Sequence, residues 1–532
     1  MEQNRHQFYT QSDTEVIVHA YEEYGEDCVK YLRGQFAFCV YDSREELLFL
    51  ARDHMGLKPL YYYFDRNKFI FGSEIKSILC HNIKREVNKN ALNYYLSLKY
   101  VPFHNTLFRG IYKVPPSSYL IFDLKRKKLS INKFWTLKFD VNKNRNVNQI
   151  AKELRRIIEE SVSIRLMSDV PLGAFLSGGI DSSIIVGLMS KLLEEPVKTF
   201  SIGFEGSPVD ETKYSRVVAE HFDTDHTEII VRSPSYHLLP KIIWHLDDLI
   251  ADGAVIPVHI MAKHARERMT VALTGDGADE VFAGYSAFYQ RQKFNFMRSI
   301  PDGILNLFMK FYNKIPLHLF RIGISYLEQS KTLKDRYLRK IIHVPDIDKI
   351  KIFPFKAERI KPKIQETLPK SLDNTNQFTF WDLLYQLPNQ FNMKVDKMTM
   401  AASLEARTPF LDVNIVEYAT TIPTSLKLKG NIEKYILRLS MKDLLPPLIL
   451  KRKKRGFNTP LNYWLKTGLK EVFEILMERL EKRKDLFNPR FIKSVKRNRR
   501  FKIFENRAWN LLMFELWYET YFENDGFKPI RI

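Results

Sequence analysis

A chain of 532 residues is too long for one ordinary core, and 45% hydrophobic with 27% charged residues marks a globular rather than a disordered protein of two or more domains. No apolar run reaches membrane-spanning length without a charge, and the opening "MEQNRHQFYT" has neither the apolar core nor the cleavage site of a signal peptide, so no membrane role is expected. The formal charge of +21 would suit a nucleic-acid surface, but the clusters "KRKK" (125–128), "KRKKR" (451–455) and "VKRNRR" (495–500) are scattered and lack aromatic interleaving, so a nucleic-acid partner is disfavoured.

Residues 1 to about 135 read as β-rich. "EVIVHAYEEYGEDCVKYL" is helical, with Val16, Ala20, Tyr21, Tyr24 and Val29 on one side. "QFAFCVYD", "ELLFLARD", "LYYYFD" and "KFIFGSE" follow as short strands, and "VPPSSYLIFDLKRKKLSINKFW" reads as a closing hairpin. The three cysteines, Cys28, Cys39 and Cys80, have spacings that suit neither a disulfide framework nor a zinc site, so a reducing, cytoplasmic setting is expected. The polar stretch 140–148 is the linker candidate between a first domain (1–139) and a second (149–532).

From Gln149 the pattern changes to strand–helix alternation. "IAKELRRIIEESVSIRL" carries Ile150, Leu154, Ile157, Ile158 and Val162 at helical spacing. "LGAFL" is a buried strand, "SSIIVGLMSKLL" a helix, and "VKTFSIGF" and "MTVALTG" are further strands, which predicts a doubly wound parallel sheet. Beyond about residue 285 the chain reads as a helical, aromatic-rich extension without internal repeats.

Between "LGAFL" and its helix lies "LSGGIDSS" (176–183). Gly178 and Gly179 allow close approach to the main chain, and exposed N–H groups at a helix start make an anion site. No lysine follows the glycines, so this is not a Walker loop; Asp181 beside an anion makes sense if Mg²⁺ bridges it to phosphates. SGGxDS resembles the PP-loop of the ATP pyrophosphatases, which cleave ATP between its α and β phosphates. "LTGDGADEVFAGY" (273–285) places Thr274, Gly275, Asp276 and Asp279 after another strand, where a second metal ligand and a reacting carboxylate would gather.

With "KVDKMTMAASLEARTPFLD" (394–412) and "KYILRLSMKDLLPPLILKRKKRGFNTPL" (434–461), these segments resemble the asparagine synthetase family over essentially all of 149–460. "SDTEVI", "LRGQFAFCVYD", "RDHMGLKPLYYY" and "FGSEIKSIL" resemble the back half of its glutaminase domain. The fold class implied is a truncated Ntn-type glutaminase sandwich followed by a PP-loop ATP pyrophosphatase domain with a helical extension. By resemblance, Leu176, Ile202, Thr274 and Gly275 contact the nucleotide, and Ser177, Gly178, Gly179, Asp181, Ser182 and Ser183 cradle the pyrophosphate. Asp181 and Asp279 hold Mg²⁺, Asp276 manages proton and charge at the acyl-adenylate, and Lys454 neutralises charge on the α phosphate. Most neighbours of Lys454 (Arg452, Lys453, Arg455) are expected to face solvent, and Glu405 with Arg407 to form a structural ion pair. Asp13 corresponds to the aspartate that holds the α-amine of glutamine.

The implied reaction activates a carboxylate with ATP as an acyl-adenylate and amidates it with ammonia. Aspartate is the commonest family substrate; a sugar acid or peptide side chain is an alternative carboxylate. A tRNA-modifying PP-loop enzyme is a weaker alternative, since sulfur insertion needs reactive cysteines and residues 81–532 contain none. Complete family members carry an N-terminal cysteine nucleophile, whereas this chain begins Met1-Glu2-Gln3. A fragment, a loss of the glutaminase, or a split enzyme completed by a separately encoded piece would each account for this; the first and third are favoured, because half a sandwich would expose edges and apolar faces. A homodimer is compatible with the resemblance.

Overall fold

A computed structural model describes residues 6–142, 145–204, 211–231, 236–285, 333–454, 464–465, 469–499 and 502–530. Helix α1 (Asp13–Tyr24) is capped by Ser12, whose hydroxyl accepts from the Thr14 amide at 3.2 Å. The four expected strands form as β1 (Ala37–Asp42), β2 (Leu47–Arg52), β3 (Tyr61–Phe64) and β4 (Phe69–Gly72). With β5 (Ile111–Lys113) and the expected hairpin β6 (Ser118–Asp123) and β7 (Lys128–Lys133), they make two antiparallel sheets, ordered β1-β2-β6-β7 and β4-β3-β5. The period-2 alternation of strands decides what each face meets. Leu50, Leu120 and Phe122 pack with Tyr62 of the smaller sheet and Val114 just after it, and Phe69 stacks on Phe122 at 4.4 Å. Phe49 and Ala51, in the opposite phase, pack under Ala20, Cys28 and Val29. Much of the apolar surface of these sheets is therefore covered, while the outer strands β1, β7, β4 and β5 each have only one strand neighbour among the described residues. Two helices that the β-rich reading missed, α2 (Ile75–Leu79) and α3 (Lys89–Leu98), lie between β4 and β5.

Helix α4 (Val147–Ile164) begins two residues inside the stretch read as a linker, because the Asn146 side chain caps it by accepting from the Asn148 and Gln149 amides. Its apolar stripe Ile150, Leu154, Ile157, Ile158 and Val162 is buried as the spacing predicts. The parallel sheet is ordered β10-β9-β8-β11-β12, from β8 (Leu172–Phe175), β9 (Lys198–Phe204), β10 (Asp225–Val231), β11 (Val271–Leu273) and β12 (Glu405–Arg407). Every neighbouring pair in it is parallel. Helices α4 and α5 (Ile180–Leu192) pack in one large core that includes Leu273, while α6 (Val255–Ala265) packs with Phe175, Phe200 and Ala272 in another. The chain runs outward from β8 to β9 and β10, then returns to add β11 on the other side of β8. That reversal makes a switch point at the carboxyl ends of β8 and β11, where a crevice opens in sheets of this kind.

The antiparallel sheets do not stand apart from the rest. Tyr61 of β3, Ile75 and Tyr95 share one core with Trp509, Phe514 and Trp517 of the long helix Lys502–Tyr518, and the Tyr95 hydroxyl donates to the Asn510 carbonyl at 2.8 Å. Buried Asp412 receives Arg33 at 3.1 Å and Arg165 at 2.8 Å, so one carboxylate ties the front sheets to α4. No helix among the described residues is long and apolar enough to cross a membrane.

Lys427 is a stability defect in this core. It is fully buried, and its ammonium has no hydrogen-bond partner among the described residues. Burial lowers its pKa to about 8, with the charge of Asp373 offsetting part of the effect. A lysine with a depressed folded pKa costs stability wherever both states are charged, so the penalty is complete below pH 8 and fades towards the ordinary 10.5. Lys427→Met is expected to raise unfolding free energy at pH 7 by up to about 3 kcal/mol. Chemical denaturation at pH 7 and pH 10 checks it: the gain should shrink at the higher pH.

Candidate active site

The glycine loop leaves β8 at the switch point and enters α5 directly. Gly179 serves as N-cap without a side-chain cap, so the first amides of this thirteen-residue helix are left for another acceptor. Gly178 sits at φ +65°, and a Cβ there would come within 2.4 Å of the Tyr214 backbone. The loop serines mostly hold the loop itself. Ser177 Oγ and Ser182 Oγ lie 3.0 Å apart, and the Gly179 amide donates to Ser177 Oγ at 3.3 Å. Ser183 is buried, with its hydroxyl donating to the Gly179 carbonyl at 2.7 Å, so its placement supports the turn more than it faces a ligand.

The loop after β11 closes on it. Thr274 is buried and its hydroxyl accepts from the Asp276 amide at 3.4 Å, while a Cβ on Gly275 would meet the Ser182 amide at 2.6 Å. Asp181 and Asp279, remote in sequence, are brought onto one ammonium. Lys434 Nζ lies 2.6 Å from Asp181 Oδ2 and 2.6 Å from Asp279 Oδ1, and Lys454 Nζ lies 2.5 Å from Asp279 Oδ2. Gly284 leaves room for this cluster: a Cβ there would sit 1.9 Å from Asp279 Oδ1 and 2.3 Å from Lys434 Cε.

The charges of the cluster are strongly coupled. Burial works against Asp279, but Lys434 and Lys454 outweigh it and hold its carboxyl down to about 2. Burial pushes Asp181 up, and the neighbouring Asp279 charge adds to this against the pull of Lys434. Burial also opposes the Lys454 charge, yet Asp279 and Asp181 raise its pKa above the ordinary value. Two ammonium groups thus face two carboxylates: they hold Asp279 ionised, while burial and the Asp279 charge work against that of Asp181. Lys434 does so from a left-handed backbone, φ +52° and ψ 36°, a conformation that costs a non-glycine residue of order 1 kcal/mol and tends to persist at functional sites.

Lys434 was not anticipated from sequence, and neither was Arg452. The expectation that Arg452 faces solvent is corrected. Its guanidinium donates to the Gly178 carbonyl at 2.6 Å and the Ser177 carbonyl at 3.3 Å, pairs with Glu211, and lies 4.0 Å over the Tyr214 ring. The backbone at Arg452 is extended (φ −64°, ψ 133°), and Arg452, Lys453 and Lys454 all line the cleft; Arg452 and Lys454 are ion-paired there, and Lys453 has no ion-pair partner among the described residues. Arg455 lies outside the described residues. Glu433 and Arg438 fasten this strand: the Lys454 amide donates to Glu433 Oε1 at 2.8 Å, and Arg438 donates to the Arg452 carbonyl at 3.1 Å. The cleft between loop and strand is lined by Ser177, Gly179, Asp181, Lys434, Arg438, Arg452 and Lys454 among others, a predominantly cationic mouth over a helix start.

The remaining candidates divide. Leu176 is buried, its amide donating to the Phe200 carbonyl at 2.8 Å, and Ile202 lies on β9 against the β8–α6 core. Asp276 sits at the rim of the second loop. Its charge, after that of Asp252 at 2.9 Å, raises the pKa of half-buried Lys394 against the opposing effect of burial. Glu405 and Arg407 pair at 2.7 Å, and Arg407 also donates to the Arg165 and Met167 carbonyls, as a structural pair should. Asp13 stands apart: it opens α1, exposed, in the front sheets' outer layer. A larger cavity of about 320 Å³ lies beside β10, between Ile229, His237, His259 and His264, but it contains none of the loop residues, and the convergence of charge decides for the loop cleft.

Comparison with known proteins finds relatives for both parts of the chain. The asparagine synthase family model matches residues 153–519, and a glutamine amidotransferase domain model matches residues 1–135. The chain is 33% identical over 534 residues to asparagine synthetase [glutamine-hydrolyzing] 1 of Bacillus subtilis (strain 168), covering 98% of this chain and 83% of that protein. It is 30% identical over 524 residues to asparagine synthetase [glutamine-hydrolyzing] 3 of the same organism, covering 90% and 77%. It is also 27% identical over 511 residues to an amidase of Gibberella zeae, covering 86% and 74%.

Proposed function

Since the chain belongs to the asparagine synthase family, we propose that it makes an amide from a carboxylate, ATP and ammonia through an acyl-adenylate, with aspartate as the first substrate to test. The observation that carries this reading is the meeting of the Ser177–Ser183 loop with Asp181, Asp279, Lys434 and Lys454 at the sheet's switch point. A carboxylate oxygen attacks the α phosphorus, the bond to the bridging oxygen breaks, and pyrophosphate leaves with the electron pair. Free amides at the start of α5 receive the leaving pyrophosphate. Lys454, at the cleft, offsets charge growing on the α phosphate, and Arg452 keeps the loop carbonyls turned away from the anion by donating to them. Ammonia then attacks the acyl carbon and AMP departs, and the nitrogen sheds a proton that Asp276, by resemblance to the family, takes up.

Two carboxylates already gathered on one cation form a hard-oxygen donor set that fits Mg²⁺, held by Asp181 and Asp279. When bound, it would neutralise phosphate charge.

We take ammonia as the nitrogen source on the state of the cysteines. Burial pushes the thiols of Cys28 and Cys39 up to about 11, so neither is a thiolate at neutral pH, and Cys80 Sγ is engaged with the Lys76 carbonyl at 3.4 Å. The test incubates residues 1–532 with aspartate, ATP and Mg²⁺, and with ammonium or glutamine. AMP and pyrophosphate in equal amounts are expected with ammonium, and no glutamate release from glutamine. Stoichiometric ADP would refute the acyl-adenylate reading, and robust glutamate release would assign a nucleophile that these thiols do not supply.

A further inference from the structure

We propose that His6, His19 and Glu22 bind a divalent transition-metal ion of the Zn²⁺ class, at a site separate from the ATP cleft. His19 and Glu22 stand one turn apart on α1, and His6 reaches them from the segment that precedes the helix. That segment is folded back by the Glu15 carboxylate, which accepts from the Tyr9 and Thr10 amides, each at 2.7 Å. Phe8 meets the His19 ring edge-on at 4.7 Å. Both imidazoles are largely buried, with 16% and 14% of their side chains exposed.

Three ligand atoms converge in a triangle. His6 Nδ1 and His19 Nδ1 are 3.1 Å apart, Glu22 Oε2 is 3.0 Å from His19 Nδ1, and it is 3.7 Å from His6 Nδ1. Ligands at about 2.0–2.1 Å from a tetrahedral Zn²⁺ are separated by about 3.4 Å, so the triangle has the size of one face of such a site. The outer atoms point the same way. His6 Nε2 faces Glu23 Oε2 at 3.1 Å, and a proton donated there leaves a lone pair on Nδ1. His19 Nε2 is buried without a hydrogen-bond partner and faces Glu15 Oε1 at 3.7 Å.

Two imidazole nitrogens and a carboxylate oxygen at these distances need a proton or a metal ion between them. A proton on His19 Nδ1 is the competing arrangement: in the neutral ring it leaves Nε2 a buried acceptor facing a carboxylate, and only the imidazolium keeps both protons. A metal keeps the proton on Nε2 of both rings, each directed at a carboxylate, the outer arrangement that metal-bound histidines have. Two imidazoles and one carboxylate select Zn²⁺, Co²⁺ or Ni²⁺ over Mg²⁺. The ion would clamp the preceding segment onto α1.

The test uses the full chain, stripped with chelator and held in excess Mg²⁺ so that oxygen sites are blocked. Titration with Co²⁺ should give one equivalent with visible absorption bands, displaced by Zn²⁺. His6→Ala and His19→Ala should each weaken Zn²⁺ binding by about tenfold or more. His6 lies outside every regular element, so its variant keeps the fold, and unchanged ATP-dependent amide synthesis in His6→Ala verifies that. Absence of binding in the unaltered chain, or binding unaffected by either substitution, would overturn the proposal and leave a shared proton in the triangle.

Discussion

Lys454→Met is expected to slow amide synthesis by roughly a hundredfold or more, while Lys453→Met stays within about twofold. The difference lies one residue apart. Both lysines line the cleft, but Lys454 Nζ sits 2.5 Å from Asp279, whereas Lys453 has no ion-pair partner among the described residues. A preorganised ammonium facing a developing phosphate charge acts without solvent reorganisation, and methionine keeps the length of the chain while removing that charge. ATP affinity should fall much less than turnover, because the charge matters most in the phosphoryl transition state. Steady-state rates and direct nucleotide binding, measured on both variants, check this. Damage from Lys453→Met with a silent Lys454→Met would place the working charge one residue earlier.

Asp181→Asn carries a second large effect, a loss of turnover of about a thousandfold, because one change touches three charges. Asparagine keeps the shape but cannot balance Lys434, whose ammonium is 2% exposed and shared with Asp279. Breaking a buried pair by removing one partner costs about 3–5 kcal/mol, so a lowered midpoint in chemical denaturation should accompany the loss of activity. Turnover that recovers to near the unaltered rate in saturating Mg²⁺, with stability unchanged, would remove Asp181 from the machinery.

Much of this site was legible in sequence for a physical reason. "LSGGIDSS" and "LTGDGADE" are continuous stretches, each flanked by an apolar strand, and their glycines and aspartates have few other uses in such a place. Lys434 was not legible, since one lysine in "NIEKYILR" has the look of any solvated charge until the fold carries it to Asp181 across 253 positions. Arg452 was misread because a run of basic residues does not say which of them the fold carries to a cleft; here 452–454 all line it. The front strands β1 to β4 were plain from their aromatic and β-branched residues, but α3 was hidden among tyrosines that also suit strands, with only Asn88 to announce a cap. Strand β12, three residues with a charge at each end, has too little pattern to find. Pairing between the front sheets and the helix Lys502–Tyr518 depends on contacts some 400 residues apart, which no local period encodes.

The central claim is that a carboxylate attacks the α phosphorus of ATP in the cleft between the glycine loop and Lys454. Its most direct test is to run the reaction with aspartate carrying ¹⁸O in its carboxylates and to weigh the nucleotide and phosphate products by mass spectrometry. Attack at the α phosphorus transfers one carboxylate oxygen, so each AMP formed should carry one ¹⁸O and pyrophosphate none. Label in inorganic phosphate would mean attack at the γ phosphorus, and unlabelled AMP formed alongside amide would mean that no acyl-adenylate had been made; either result contradicts the account.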